Sequence, residues 1–234
     1  MTMSRATRAP KVLLSWSSGK DSAWTLHVMR HELGIDAAAL LTTFNAAVDR
    51  VAMHAVRRTL VEAQAAAAGV PLWQVSIPSP CPNETYEAQM REAMALATAE
   101  GFTHVAFGDL FLEDVRRYRE ERMAGTGLTP IFPLWGRPTR ALALDMIAGG
   151  LGAIVTCVDP KQLDPSFAGR RFDARLLSEL PVSADPCGER GEFHTFCCAG
   201  PMFRTPIEAT TGEIVERDGF VFADVLPGAA ISRS

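Results

Sequence analysis

The 234-residue chain is 47% apolar and carries 23 basic against 27 acidic side chains, a net charge of −4. That is enough material to bury one large core or two modest ones, and the charge excludes a whole-protein attraction to nucleic acid or anionic lipid. Five cysteines, Cys81, Cys157, Cys187, Cys197 and Cys198, include no C-x-x-C pair, which argues against a disulfide framework and for a reducing, cytoplasmic setting. No apolar run approaches the ~20 residues of a membrane span, and the opening stretch is too poor in apolar residues for a signal peptide.

Residues 1–10 read as a flexible start. Lys11 to Ser17 predicts a short strand, after which Ala23, Leu26, Val28, Met29 and Leu33 recur near helical spacing until Gly34. Asp36 to Phe44 predicts a second strand. The next helix, capped by Asp49, places Met53, Val56, Leu60, Ala63 and Ala67 on one face and stops at Gly69. Pro71 to Ile77 is a third strand, and Asn83 caps a third helix that stops at Gly101. "THVAFGDL" gives a fourth strand ending in Gly108 and Asp109, and "EDVRRYREERMAG" a charged helix that opposes Glu113 to Arg117 four residues on.

This alternation predicts an α/β fold, a parallel doubly wound sheet covered on both faces. After Thr129 the pattern changes: a proline-rich stretch, the helical "ALALDMIAGG", the strand-like "GAIVTCVD", then loops from Asp159 on. The expected division is an α/β domain over 11–132, a smaller α+β domain over 133–227 and a flexible tail over 228–234.

"SWSSGKDS", Ser15 to Ser22, joins the first strand to the first helix. A helix N-terminus at a strand's carboxyl end offers free N–H groups and a positive dipole end to an anion. Gly19 permits close backbone approach, Ser17, Ser18 and Ser22 can donate hydroxyl hydrogen bonds, and Lys20 can add a charge. The Walker pattern G-x-x-x-x-G-K-[ST] is not met: Leu14 occupies the first glycine position and Asp21 follows the lysine. The plainer alternative is a turn in which Ser18 or Asp21 only caps the helix.

"SSGKDS" resembles the PP-loop, usually S-G-G-x-D-S, of the adenine nucleotide alpha hydrolase-like ATP pyrophosphatases, which split ATP between its α and β phosphates. Ser18 replaces the usual first glycine. "PLW" at Pro133 to Trp135, the stretch Met146 to Val158, and "CGERGEFHTF" at Cys187 to Phe196 extend the likeness to the diphthine–ammonia ligase family. In that family the late motif usually reads C-G-E-G-G-E-Y-E-T; here Arg190 replaces a glycine, Phe193 a tyrosine and His194 a glutamate.

The resemblance implies an AMP-forming ligase that takes ATP, ammonium and an unidentified carboxylate acceptor and releases AMP and pyrophosphate. It implies that the Ser15 to Ser22 loop (Ser15, Ser17, Ser18, Gly19, Lys20, Asp21, Ser22) holds the pyrophosphate end of ATP. Asp21 either ligates Mg²⁺ or caps the helix. Asp109, beside Gly108, is the second metal or nucleotide candidate, against a simple turn. Thr43 and Phe44 end the second strand where adenine is received in such folds. His54 matches a family histidine, against a surface or core histidine. Glu189 or Glu192 could position ammonium or accept its proton, and His194 could act as a base; the alternative is a solvated loop turned at Gly191. Glu113 is kept as a nucleotide candidate, against a solvated helix face.

Two other functions stay open: a non-catalytic adenine-nucleotide sensor, and a thiolating PP-loop enzyme of tRNA, which the cysteine spacing and net charge disfavour. A homodimer is the assembly kept in view.

Overall fold

The structure is a computed structural model and describes residues 9–51, 55–78 and 80–228. It is an α/β protein with two sheets.

Strand β1 (Val12–Ser15) lies at the centre of the first sheet. Val12, Leu13 and Leu14 are each 0% exposed, so three consecutive apolar residues reflect a parallel strand covered on both faces. Val12 and Leu14 pack in one apolar cluster with α1 (Lys20–His31) and α2 (Arg58–Ala68). Leu13 faces the other cluster, with α3 (Asn83–Ala99) and Met123 at the end of α4 (Glu113–Met123). Burying each of these leucines contributes about 1.5–3 kcal/mol.

β2 (Ala37–Asn45) runs parallel to β1 on one side and to β4 (Leu72–Ile77) on the other. β5 (His104–Ala106) pairs parallel with the opposite edge of β1, and β6 (Thr129–Ile131) with β5. The order is therefore β4-β2-β1-β5-β6, and the two-residue β3 (Arg50–Val51) adds antiparallel to the end of β2. The chain first winds outward through β2 and β4, then returns past β1 to β5. That reversal opens a crevice at the carboxyl ends of the central strands.

The second sheet is antiparallel, in the order β8-β7-β10-β9. Its strands are β7 (Gly152–Val158), β8 (Phe193–Ala199), β9 (Ala209–Arg217) and β10 (Phe220–Pro227), with α5 (Thr139–Ala148) before β7 and α6 (Ala174–Glu179) before β8. The second sheet meets the Ser15 to Ser22 loop, where the Cys197 N–H donates to the Ser18 carbonyl at 2.9 Å, and the end of α2, where the Arg204 N–H donates to the Ala67 carbonyl at 2.8 Å. Among the described residues no helix is long and apolar enough to cross a membrane.

Several local expectations need correction. Asp49 caps no helix: it sits in a turn at φ 54°, the β3 strand follows, and α2 starts only at Arg58. Asp49 instead accepts a side-chain bond from Arg58 Nε, and Met53 lies outside the described residues. Pro82 is the N-cap of α3, so Asn83 is its first helical residue. On α4 the ion pair that forms is Arg116 with Glu120 rather than Glu113 with Arg117. After Asp159 loops still connect the elements, but β8, β9 and β10 run through them and build most of the second sheet. The β9–β10 hairpin was missed because β9 is an edge strand whose residues are largely exposed, which blurs the alternation.

Candidate active site

The loop between β1 and α1 is held from behind by one side chain. Gln64 of α2 is fully buried; its Oε1 accepts from Trp16 Nε1 at 2.8 Å, and its Nε2 donates to the Ser18 carbonyl at 2.9 Å and the Cys197 carbonyl at 2.6 Å. Gln64 thus ties both ends of a tight turn to β8. The signal available in the sequence was a single amide on the apolar, alanine-rich face of α2.

Ser18 takes the left-handed conformation, φ 69°. Glycine adopts it at no steric cost, the physical reason for a glycine at this point in the usual PP-loop. The Ser18 hydroxyl is buried and has no hydrogen-bond partner among the described residues. Gly19 is the N-cap of α1, and its N–H donates to Ser17 Oγ at 3.3 Å. The Lys20 N–H donates to Thr195 Oγ1 at 3.0 Å, so β8 answers one of the helix's first N–H groups. Ser22 Oγ donates to the Gly19 carbonyl at 3.0 Å and lies 3.2 Å from Ser17 Oγ.

Lys20 does not project into the crevice as a loose charge. Its side chain is 2% exposed; Nζ donates to both Asp21 oxygens, at 3.0 and 2.8 Å, and to the Cys187 carbonyl. The ammonium also lies 5.5 Å from the Phe172 and Phe193 ring centroids. Burial works to lower its pKa, but the Asp21 carboxylate and neighbouring groups more than offset that and hold it raised. Lys20 therefore locks the loop to the Cys187 to Thr195 segment.

Three carboxyl groups gather around this lock. Glu189 Oε1 accepts from the Leu110 N–H at 2.7 Å, bringing the late motif onto the loop after β5. Burial pushes Glu189 up to about 7; the Leu110 bond opposes this, and Asp21 and Asp109 add to it. Burial likewise raises Asp109, against the pull of Arg119 at 3.5 Å, and the Asp21 charge raises it further. Gly108 serves packing: an added Cβ would lie 3.2 Å from the Asp21 carbonyl carbon and from the Ser22 nitrogen.

A Mg²⁺ ion is held by one or two carboxylates together with phosphate oxygens and water. Both Asp21 oxygens accept from Lys20 Nζ and Asp109 lies 3.5 Å from Arg119, so each of these carboxylates has a cation partner within the protein. Among the described residues no group of three or more ligating side chains converges.

A cavity of about 900 Å³ opens at the carboxyl ends of β1, β2 and β5, lined by Ser15, Ser17, Thr43 and Phe107. Met90 and Met94 of α3 and Tyr118 and Arg119 of α4 form its far wall, and His194 of β8 closes it from the second sheet. The predicted residues divide accordingly. Ser15, Ser17, Thr43 and His194 face this space, whereas Ser18, Gly19, Lys20, Asp21, Ser22, Gly108, Asp109, Glu189 and Glu192 do not line it. Phe44 does not, because neighbouring strand residues point to opposite faces; it is fully buried, with the Arg58 guanidinium 4.3 Å from its ring centroid. Glu113 is exposed at the start of α4 and does not line this cavity, whereas Arg119, two turns on, does. His54 lies outside the described residues.

Glu192 is a brace rather than a base. It is 1% exposed, and its two oxygens accept from the Asp185 N–H at 2.7 Å and the Arg190 N–H at 2.9 Å. That leaves Glu189 as the carboxyl of the late motif that burial raises, and His194 as its residue on the wall of the large cavity. Thiolation loses ground: no cysteine lines the large cavity, and burial raises the thiols of Cys157, Cys187, Cys197 and Cys198.

A doubly wound α/β domain joined to an antiparallel sheet, with a ligand-sized crevice at the strand-order reversal, defines the class as an α/β protein with its site where such folds take their ligands. Sequence comparison is more particular. Residues 10–128 match the diphthamide synthase N-terminal domain and residues 139–224 the diphthamide synthase C-terminal domain, so the chain belongs to the diphthine–ammonia ligase family. It is 32% identical over 120 residues to a Bos taurus protein named diphthine–ammonia ligase, covering 49% of this chain and 45% of that one. A Danio rerio protein of the same name is 35% identical over 121 residues, covering 49% and 47%. One from Schizosaccharomyces pombe is 27% identical over 228 residues, covering 88% and 37%. The chain spans less than half the length of these relatives.

Proposed function

We propose that the chain is an ATP-dependent ligase that adenylates a carboxylate and transfers ammonia to it, releasing AMP and pyrophosphate. One observation carries the reading: Ser15, Trp16 and Ser17, the start of the loop that leads into α1, and His194 of the second sheet line a single cavity of about 900 Å³. The relatives' printed name supports the same chemistry.

A carboxylate oxygen attacks the α-phosphorus of ATP; the bond to the oxygen bridging the α and β phosphates breaks, and pyrophosphate leaves with that electron pair. Ammonia then attacks the acyl carbon, the bond to AMP breaks, and the nitrogen gives a proton to a base. The N-terminal turn of α1 faces the departing negative charge with its dipole. Asp21 and Asp109 would hold a Mg²⁺ ion, which neutralises phosphate charge when bound, in competition with Lys20 and Arg119. Glu189, which burial holds at about 7, is the group placed to take the proton, with His194 as the second candidate base.

The test is incubation with labelled ATP, ammonium and a cell extract as the source of acceptors. AMP and pyrophosphate are expected; ADP and phosphate in their place would overturn the reading. The burial of Lys20 favours one second reading, a nucleotide sensor. Retained nucleotide without pyrophosphate release in the same incubation would point to it.

A further inference from the structure

A second cavity, of about 240 Å³, lies between the two sheets. Val51 of β3 and Ala55 close it on one side, and Cys157, Phe220 and Phe222 of the second sheet on the other; Val51 and His194 line this cavity and the large one alike. An occupant of the small cavity is therefore one side chain away from an occupant of the large one. The small cavity falls below the size that holds a drug-sized ligand, so it is not a second nucleotide site.

Its walls are apolar and aromatic with an excess of positive charge. Phe220 and Phe222 stand on the same face of β10, ring centroids 6.4 Å apart. Asp224, two residues on, is shared by Arg50 and Arg57, so this brace keeps a net positive charge. Arg50 lines the cavity and also donates to the Ala55 carbonyl at 2.7 Å. Arg217 lines it too: its guanidinium lies 4.9 Å from the Phe222 ring centroid and pairs at 3.7 Å with Asp218, which also lines the cavity and whose side chain is 88% exposed. Cys157 contributes a neutral thiol rather than an anion, since burial pushes its pKa up to about 12. Ala55 and Asp218, at φ 55° and 53°, are two of the four non-glycine residues with positive φ among those described. Strain of this kind collects at ligand sites.

We propose that this cavity is the acceptor subsite, taking a small monocarboxylic acid with a flat or branched apolar body. The body rests on Phe220 and Phe222, the guanidinium wall draws the carboxylate, and His194 marks the boundary across which it meets the nucleotide. The proposal rests on the ligase reading above.

The test uses the full chain and two measurements, ATP binding and acid binding, both by calorimetry. Phenylacetate and benzoate are the acid probes, added with AMP present; acetate lacks the apolar body, and phenylacetamide lacks the charge. Phenylacetate should bind at least tenfold more tightly than either control. Arg217→Gln and Phe222→Ala should each weaken phenylacetate at least tenfold and leave the Kd for ATP unchanged. Phenylacetate binding that is absent, or unaltered in both variants, overturns the subsite. If ATP fails to bind while phenylacetate binds in the expected pattern, the ligase reading falls and the acid site stands.

Discussion

Gln64 Oε1 accepts a hydrogen bond from Trp16 Nε1 at 2.8 Å, with both side chains inside the protein. The same amide donates to the Ser18 and Cys197 carbonyls, so one side chain satisfies an indole N–H and two carbonyls that water cannot reach. Leucine fits the volume and satisfies none of them. Each orphaned buried group costs roughly 1–3 kcal/mol, so Gln64→Leu is expected to lose on the order of 3 kcal/mol in urea unfolding. A variant within 1 kcal/mol of the parent, an order-of-magnitude limit on the same scale, would show that the bracket does not hold the loop.

Ser18 offers a prediction of opposite sign. It is strained at φ 69° and its buried hydroxyl has no partner among the described residues. Ser18→Gly removes both penalties and adds the entropy of a more flexible unfolded chain, a cost of about 0.4–1 kcal/mol. A non-glycine residue in the left-handed region costs about 1–3 kcal/mol. The net expectation is a gain of about 1 kcal/mol, read as a higher urea midpoint at unchanged slope. Ser18→Val, branched at Cβ, should lose stability instead; a gain in Ser18→Val would refute the strain argument.

The pattern of apolar residues made most of the first sheet legible. Val12, Leu13 and Leu14 announce a central parallel strand, and the loop that follows announces the turn from β1 into α1. The missed features depend on contacts distant in sequence. Nothing around Gln64 says that the Trp16 indole will arrive opposite it. Nothing in "KDS" says that Lys20 will be drawn into the Cys187 carbonyl. Glu113 and Arg119 sit on one charged helix, and only the packing of α4 against the crevice separates the exposed one from the lining one. Glu192 and Glu189 share a motif, yet one is used up by backbone N–H groups within its own turn and the other spans to Leu110.

The thiols should be inert. Burial raises Cys157, Cys187, Cys197 and Cys198, and only the thiolate reacts readily. Cys81 alone is partly exposed. Treatment of the native protein with a thiol-reactive disulfide at pH 8 is expected to label one cysteine, and unfolding in urea should release the other four. Rapid labelling of Cys197 or Cys198 in the native state would contradict the buried placement and reopen sulfur-transfer chemistry.

Glu189 ties stability to pH in a direction that can be worked out. Unfolded, its carboxyl titrates near the ordinary 4.5; folded, burial holds it at about 7. Below 4.5 both states keep the proton and the group favours neither. Between the two values only the folded state keeps it, so ionisation of the unfolded chain erodes stability as pH rises, and the loss levels off above about 7. Glu189→Gln retains a carbonyl acceptor for the Leu110 N–H and removes the titration. In metal-free protein with a chelator present, the variant should therefore gain on the parent from pH 4.5 to about 7 and then stay level. Urea midpoints of both proteins across this range provide the measurement, and a difference that does not vary with pH would show that Glu189 is not held out of water. If Glu189 accepts the ammonium proton, the parent's kcat/KM rises through the same pH, where its carboxylate first becomes available as a base; the glutamine variant should lose that limb while keeping its affinity for ATP.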